Sequence, residues 1–196
     1  MDTTEPRLGP KFFEALHYAA ELHNNQVRKG GEIPYIGHLL SVAGLVLEAD
    51  GNEIQAIAAL LHDSAEDQGG EAVLAEIETR FGPDVAAIVG ECSDTVETPK
   101  PPWQQRKQRY IDHLGSASDD AVLVSLADKL DNARAILRDV RGVGPALWER
   151  FSVSDPKSHL WYYRSLFAVY QRRNHTWLVD ELGRVLDALE AEINAS

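Results

Sequence analysis

The residues best suited to chemistry are two histidines and two aspartates. His62 and Asp63 are adjacent, His38 lies 24 residues upstream of His62, and Asp128 lies 65 residues downstream of Asp63. A divalent transition metal accepts such mixed nitrogen and oxygen ligands. A His-Asp pair alone is more often a solvated pair at a helix end, so the metal interpretation depends on the two distant partners.

Asp128 supports the metal interpretation because its neighbours are apolar. It lies in the segment SLADKL, beside Leu126, Ala127 and Leu130. An unpaired carboxylate is costly to bury in such surroundings. We therefore expect a cation or another polar partner next to it.

Two more carboxylates, Glu66 and Asp67, follow the His-Asp pair. If residues 54–67 form one helix, all four ionisable side chains share an arc of about 140°. The alternative is a solvated acidic helix end, but the helix dipole disfavours negative charge at a C-terminus. This conflict with a local rule favours a functional role.

Apolar spacing and turn residues predict an all-α fold, a compact bundle of about eight to ten helices. The expected helices cover residues 10–24, 36–49, 54–67, 71–80, 83–92 and 103–114, a long helix from 119, and two more after the break RGVGP. The segment AVLVSLAD resembles a buried strand, but DKLDNARAIL continues its apolar spacing and favours a helix. His17, on a helix with two Phe residues, is expected to be interior.

Composition limits the class of protein and its partners. The 196 residues suit one domain, 1–196, with a motif-bearing core at about 11–140 and C-terminal helices at about 145–194. The 19 Lys and Arg against 31 Asp and Glu give a net charge of −12, which argues against nucleic acid or an anionic membrane as main partner. With one cysteine, no signal sequence and no long apolar run, a cytoplasmic protein is expected.

Three motifs, HNNQVRKGGEIPYIGH, LLHDSAED and LADKLDNAR, occur in this order. Together they resemble the HD-superfamily hydrolase domain of the Rel/SpoT homologues, and more closely the small alarmone hydrolases, which lack a synthetase domain. The resemblance covers about residues 13–138 and is weaker beyond them. It implies removal of the 3′-pyrophosphate from guanosine tetra- or pentaphosphate, giving GDP or GTP and pyrophosphate, with a divalent metal that is usually Mn²⁺.

The resemblance also implies roles for individual residues. The metal ligands would be His38, His62, Asp63 and Asp128, the same set that the spacing suggests, and the catalytic pair would be Glu66 and Asp67. A carboxylate one helical turn after His62 can orient or deprotonate an attacking water.

Four residues match substrate-binding positions of the family: Arg28 and Lys29 of the RKG loop, Asn132, and Tyr162 as first choice among the aromatic residues of LWYYR. A guanidinium can stack on a base and also bond phosphate oxygens. Structural alternatives are a solvated basic turn, a buried amide and a core aromatic ring. Ala135 stands where bifunctional relatives often carry a hydroxyl, so base selectivity stays open.

Other functions remain open. The nearest enzyme alternatives are an HD-type nucleotidase and a hydrolase of related 3′-phosphorylated or pyrophosphorylated nucleotides, adenosine alarmones included. A different class would be an alarmone sensor or an antitoxin that acts by contact, with a toxic synthetase as partner. A homo-oligomer is also compatible with the sequence.

A further basic group, Lys100, Arg106, Lys107 and Arg109, is either a phosphate funnel or a solvated helix face. Arg134 matches the later family motif but could equally be a structural ion-pair partner.

Overall fold

The computed structural model describes residues 7–95, 99 and 101–195. They form ten α-helices and one 3-10 helix: α1 Pro10–Leu22, α2 Ile36–Glu48, α3 Glu53–Leu61, α4 Ser64–Gln68, α5 Gly70–Phe81, α6 Pro83–Cys92, α7 Trp103–Leu114, α8 Asp119–Val143, the 3-10 helix Gly144–Arg150, α9 Pro156–Arg173 and α10 Trp177–Ala195. Among these residues Val27 and Pro34 make an isolated β-bridge rather than a strand. The all-α prediction is confirmed. None of the described helices combines the length and apolar character needed to cross a bilayer.

Helix α8 lies at the centre of the fold. It packs against α2, α3, α6, α9 and α10. The Ser118 side chain caps its first turn by accepting the Ala121 N–H at 3.2 Å. Residues 121–128 are buried in this helix, which settles the strand alternative for AVLVSLAD in favour of a helix. Asp128 is therefore carried into the interior.

The expected single helix at 54–67 is wrong in one respect, because it divides at the His-Asp pair. Asp63 has φ −93° and ψ −4°, which ends the hydrogen-bond ladder of α3. The chain resumes in α4, where the Asp67 N–H donates to the Asp63 carbonyl at 3.0 Å. Aspartate is a weak helix former that favours helix ends, which explains the position of the break.

The loop between α1 and α2 is folded back on itself. The Arg28 N–H donates to the Ile33 carbonyl at 2.8 Å, and the Tyr35 N–H donates to the Gln26 carbonyl at 2.9 Å. Gly30 occupies the turn with φ +77°, and a Cβ there would lie 2.1 Å from the Arg150 side chain. This turn directs Arg28 toward α8.

The expectation of an interior His17 is wrong. The buried residues of α1 are Ala15, Tyr18 and Ala19, and His17 lies off that stripe. Its side chain is 73% exposed and lies 3.3 Å from Glu21. Phe13 is exposed as well, whereas Phe12 packs partly buried against the core, so the two Phe residues do not share one side of α1.

Candidate active site

The four residues suggested as metal ligands converge from two helices, α2 and α8, and from the α3–α4 junction. His38 Nε2 lies 3.2 Å from Asp128 Oδ1 and 3.6 Å from Asp63 Oδ2. His62 Nε2 lies 3.1 Å from Asp63 Oδ2 and 3.6 Å from Asp128 Oδ1. One ligand atom each from His38, His62 and Asp128 lie within 4.8 Å of one another. Chain segments far apart in sequence thus bring two nitrogens and two oxygens to one buried point.

The imidazoles are oriented so that the same ring nitrogen of each points to this centre. His62 Nδ1 lies 2.8 Å from the Ala59 carbonyl, and His38 Nδ1 lies 2.6 Å from Asp131 Oδ2. Both acceptors favour a proton on Nδ1, so Nε2 is the ring nitrogen that faces the carboxylates and from which a cation would displace a proton. Each Nε2 is buried and makes no hydrogen bond of acceptable geometry. Two unpartnered ring nitrogens beside two carboxylates fit a transition metal well.

Neighbouring side chains also hold the carboxylates of the cluster. The Tyr35 hydroxyl donates to Asp63 Oδ2 at 2.5 Å. Asp128 accepts hydrogen bonds from Lys129 and from the Asn132 amide, one on each oxygen. Such outer contacts restrict ligand rotation and fix the geometry of a metal site.

Electrostatics keep the carboxylates of this cluster ionised. Burial alone would raise the pKa of Asp128, but Lys129 and the neighbouring imidazoles hold it well below its usual range. Burial alone would lower the pKa of His38, but hydrogen bonds with Asp128 and Asp131 outweigh it and raise the pKa to about 9. The negative charge that attracts these protons would equally attract a cation, and a metal would compete with the protons for the imidazoles.

Glu66 and Asp67 extend from α4 toward a neighbouring cavity. Glu66 Oε2 accepts the Asp94 N–H at 3.2 Å, and Asp67 Oδ2 accepts a hydrogen bond from Gln26 Nε2 at 2.7 Å. Both carboxylates line a cavity of about 420 Å³. The backbone hydrogen bond from Asp67 to Asp63 still places Asp67 one turn after the His-Asp pair.

Two adjoining cavities are lined by residues that contact the cluster. The larger, about 620 Å³, is bounded by the Arg28 loop and apolar residues such as Ile33 and Leu147, and the smaller contains Glu66 and Lys107. Both sizes are within the range of ligand sites. Lys29 and Asn132 line both cavities, whereas Arg28 lines the larger and Tyr162 the smaller. The four proposed metal ligands line neither cavity, but Tyr35, Lys129 and Asn132, which bond the carboxylates of Asp63 and Asp128, do.

The members of the basic group after α6 lie at different places in the structure. Arg106 and Lys107 pair with Asp94 and line the smaller cavity. Arg109 is exposed and lines a different cavity, and Lys100 lies outside the described residues. Arg134 pairs with Glu181 at 2.9 Å, which agrees with its structural alternative.

Sequence reasoning missed four residues that hold the site together: Gln26, Tyr35, Asp94 and Asp131. Gln26 and Tyr35 lie in the quoted first motif, and Asp131 follows Asp128 by three residues, hence on the same side of a helix. These spacings could have indicated them. Nothing in the sequence indicated Asp94, whose backbone contacts Glu66.

The family model described as HD domain matches residues 15–149. This chain belongs to the HD-domain family. Its relatives include the guanosine-3′,5′-bis(diphosphate) 3′-pyrophosphohydrolases MESH1 of Xenopus tropicalis and Homo sapiens. The Xenopus protein is 41% identical over 145 residues, which cover 72% of this chain and 76% of that protein. The human protein is 37% identical over 148 residues, which cover 74% of this chain and 78% of that protein.

A solved structure extends the comparison beyond the HD-domain match. It is described as a metazoan ortholog of SpoT that hydrolyses ppGpp, and it aligns with a TM-score of 0.76 and 31% identity over 94% of this chain and 97% of its own. The HD-domain match contains every proposed site residue except Tyr162, whereas the structural match extends over most of the chain. The resemblance to small alarmone hydrolases is confirmed.

Proposed function

We propose that this chain hydrolyses guanosine 3′,5′-bis(diphosphate) and its pentaphosphate analogue to GDP or GTP, releasing pyrophosphate from the 3′ position. The observation that carries the proposal is the pair of buried, unpartnered Nε2 atoms of His38 and His62 beside two carboxylates. The named activity of the MESH1 relatives supports the same reaction.

The proposed metal ligands are His38, His62, Asp63 and Asp128, and the proposed ion is Mn²⁺. A divalent cation held there would withdraw charge from a phosphoryl oxygen and make water more acidic. Manganese binds most weakly in the usual divalent series, so its selection would rest on the mixed donor set and on supply.

Glu66 and Asp67 are the proposed catalytic pair. Both carboxylates border the smaller cavity, and each is oriented by a donor from another segment, the Asp94 N–H for Glu66 and the Gln26 amide for Asp67. A carboxylate held in this way can orient a water and accept its proton as the water attacks phosphorus. The bond that breaks joins that phosphorus to the ribose 3′-oxygen, which leaves with the nucleotide.

The smaller cavity contains cationic side chains that would attract the anionic substrate. The protein has a net charge of −12, yet Lys29, Lys107 and Arg106 border this cavity beside Glu66. These three cations would neutralise the negative charge of the phosphate oxygens, whereas the net negative charge of the protein would repel them. Tyr162 borders the same cavity. The adjoining cavity, which the Arg28 loop and apolar residues line, would hold the guanine base.

A nucleotide panel tests this function. Purified protein with Mn²⁺ is incubated with guanosine and adenosine 3′-pyrophosphorylated nucleotides, GTP, and deoxynucleoside monophosphates, and the products are separated by charge. We expect GDP and pyrophosphate from the guanosine tetraphosphate. Turnover of monophosphates alone would favour the nucleotidase, and binding without turnover would favour a sensor or a contact antitoxin; either result contradicts the proposal.

A further inference from the structure

Asp131 contacts the metal cluster without belonging to it. Its Oδ2 lies 2.6 Å from His38 Nδ1, the ring nitrogen opposite the one that points to Asp63 and Asp128. The Asp131 side chain therefore lies behind the imidazole, where it can orient the ring but cannot share a cation with Nε2. Asp131 follows Asp128 by three residues on α8, so the two carboxylates lie on the same side of this helix.

The carboxylate of Asp131 is held on both oxygens. Oδ1 accepts a hydrogen bond from the Ser41 hydroxyl at 2.6 Å, and Ser41 lies on α2 three residues after His38. The Arg28 guanidinium approaches Oδ2 at 3.5 Å and donates to Asn132 Oδ1 at 2.9 Å. The Asp131 side chain is 19% exposed and cannot rotate without breaking its contacts to α2 and to the Arg28 loop.

We propose that Asp131 is a positioning residue for the metal centre, a carboxylate that holds His38 with Nε2 directed at the cation and joins this ligand to the Arg28 loop. The inference rests on the metal site of the proposed function. Carboxylates that accept the second N–H of a ligating imidazole fix its tautomer and raise its basicity, and losing one typically weakens metal binding about 10- to 100-fold.

Asp131→Asn keeps the size of the side chain and removes its charge, so it tests this role directly. The control is Asp120→Asn, the same change at an exposed position of α8 whose carboxylate bonds Gln55. Free Mn²⁺ is measured by electron paramagnetic resonance during titration of each protein, alongside thermal melting. We expect Asp131→Asn to weaken Mn²⁺ binding at least about 10-fold with a melting temperature close to that of the control.

Two further measurements separate positioning from folding. Ser41→Ala leaves the His38 contact intact and should change Mn²⁺ affinity much less than Asp131→Asn. Hydrolysis by Asp131→Asn should recover as Mn²⁺ is raised, so that the half-saturating metal concentration shifts more than the maximal rate. If Asp131→Asn folds poorly, Asp131→Ala is compared at a temperature where both it and the control are folded.

Equal Mn²⁺ affinity in Asp131→Asn and Asp120→Asn would overturn the inference, as would a wild-type protein that binds no Mn²⁺. A wild-type protein that binds Mn²⁺ but leaves the alarmone intact would overturn the proposed function, and the affinity comparison would still decide the role of Asp131.

Discussion

Replacing Glu66 with Gln isolates the charge of the proposed base from its shape. The Gln side-chain oxygen can still accept the Asp94 N–H, which lies 3.2 Å from Glu66 Oε2. Since this hydrogen bond is kept, the change in stability should stay below the value of a net hydrogen bond, about 0.5–1.5 kcal/mol. The melting temperature should therefore change little.

The expected loss of rate is much larger. General base catalysis contributes about 10²- to 10⁴-fold, so turnover should fall by that factor when the proton acceptor is lost. At about 1.4 kcal/mol for each factor of ten, the barrier rises by about 3–5 kcal/mol, well above the stability change. This separation between rate and stability is the quantity to measure.

The assay follows pyrophosphate release at saturating alarmone and Mn²⁺, with titration calorimetry for substrate binding and a thermal melt for each protein. The matched control is Glu78→Gln, an exposed carboxylate on α5. We expect substrate binding to persist in Glu66→Gln. A turnover number within about threefold of wild type would refute the role of Glu66 as base, and a loss that parallels a lower melting temperature would make its role structural.

Three further outcomes are expected. His62→Ala should lose the bound ion, which elemental analysis should find at about one per chain in wild type. Chelation of the wild-type protein should abolish turnover until Mn²⁺ is restored. Equal metal content in wild type and His62→Ala would contradict the ligand assignment. Lys29→Glu should lower kcat/KM at least about tenfold, because charged hydrogen bonds are worth about 1.5–3 kcal/mol, and unchanged kinetics would place the phosphates elsewhere. Gln26→Ala removes the amide that orients Asp67 and should lower kcat more than it raises KM; a change in KM alone would make Gln26 a binding residue.

Most helices could be predicted because apolar residues recur at helical spacing along nearly every segment. The long helix α8 is the clearest case, since the spacing after Asp128 decided between strand and helix. The break between α3 and α4 could not be predicted in this way. Apolar spacing continues from Ile57 through Leu61 to Ala65, all buried, whereas the break depends on the backbone at Asp63.

The metal cluster could be proposed from residue types, but its supports depend on tertiary contacts. The Asp94 N–H reaches Glu66 across 28 residues, and Asp131 reaches His38 across 93. Such contacts leave no periodic signal. His17 shows the opposite error, in which neighbouring aromatic residues suggested burial that the helix geometry does not produce.

Hydrolysis in ¹⁸O-labelled water tests the proposed reaction most directly. Water attack on the phosphorus nearest the ribose, assisted by Glu66 and Asp67, should place the label in pyrophosphate and leave the 3′-hydroxyl of GDP unlabelled. Mass spectrometry of both products measures this. We expect labelled pyrophosphate released in one piece; label in the ribose, or stepwise release of two labelled orthophosphates, would contradict 3′-pyrophosphohydrolysis even if all four metal ligands proved correct.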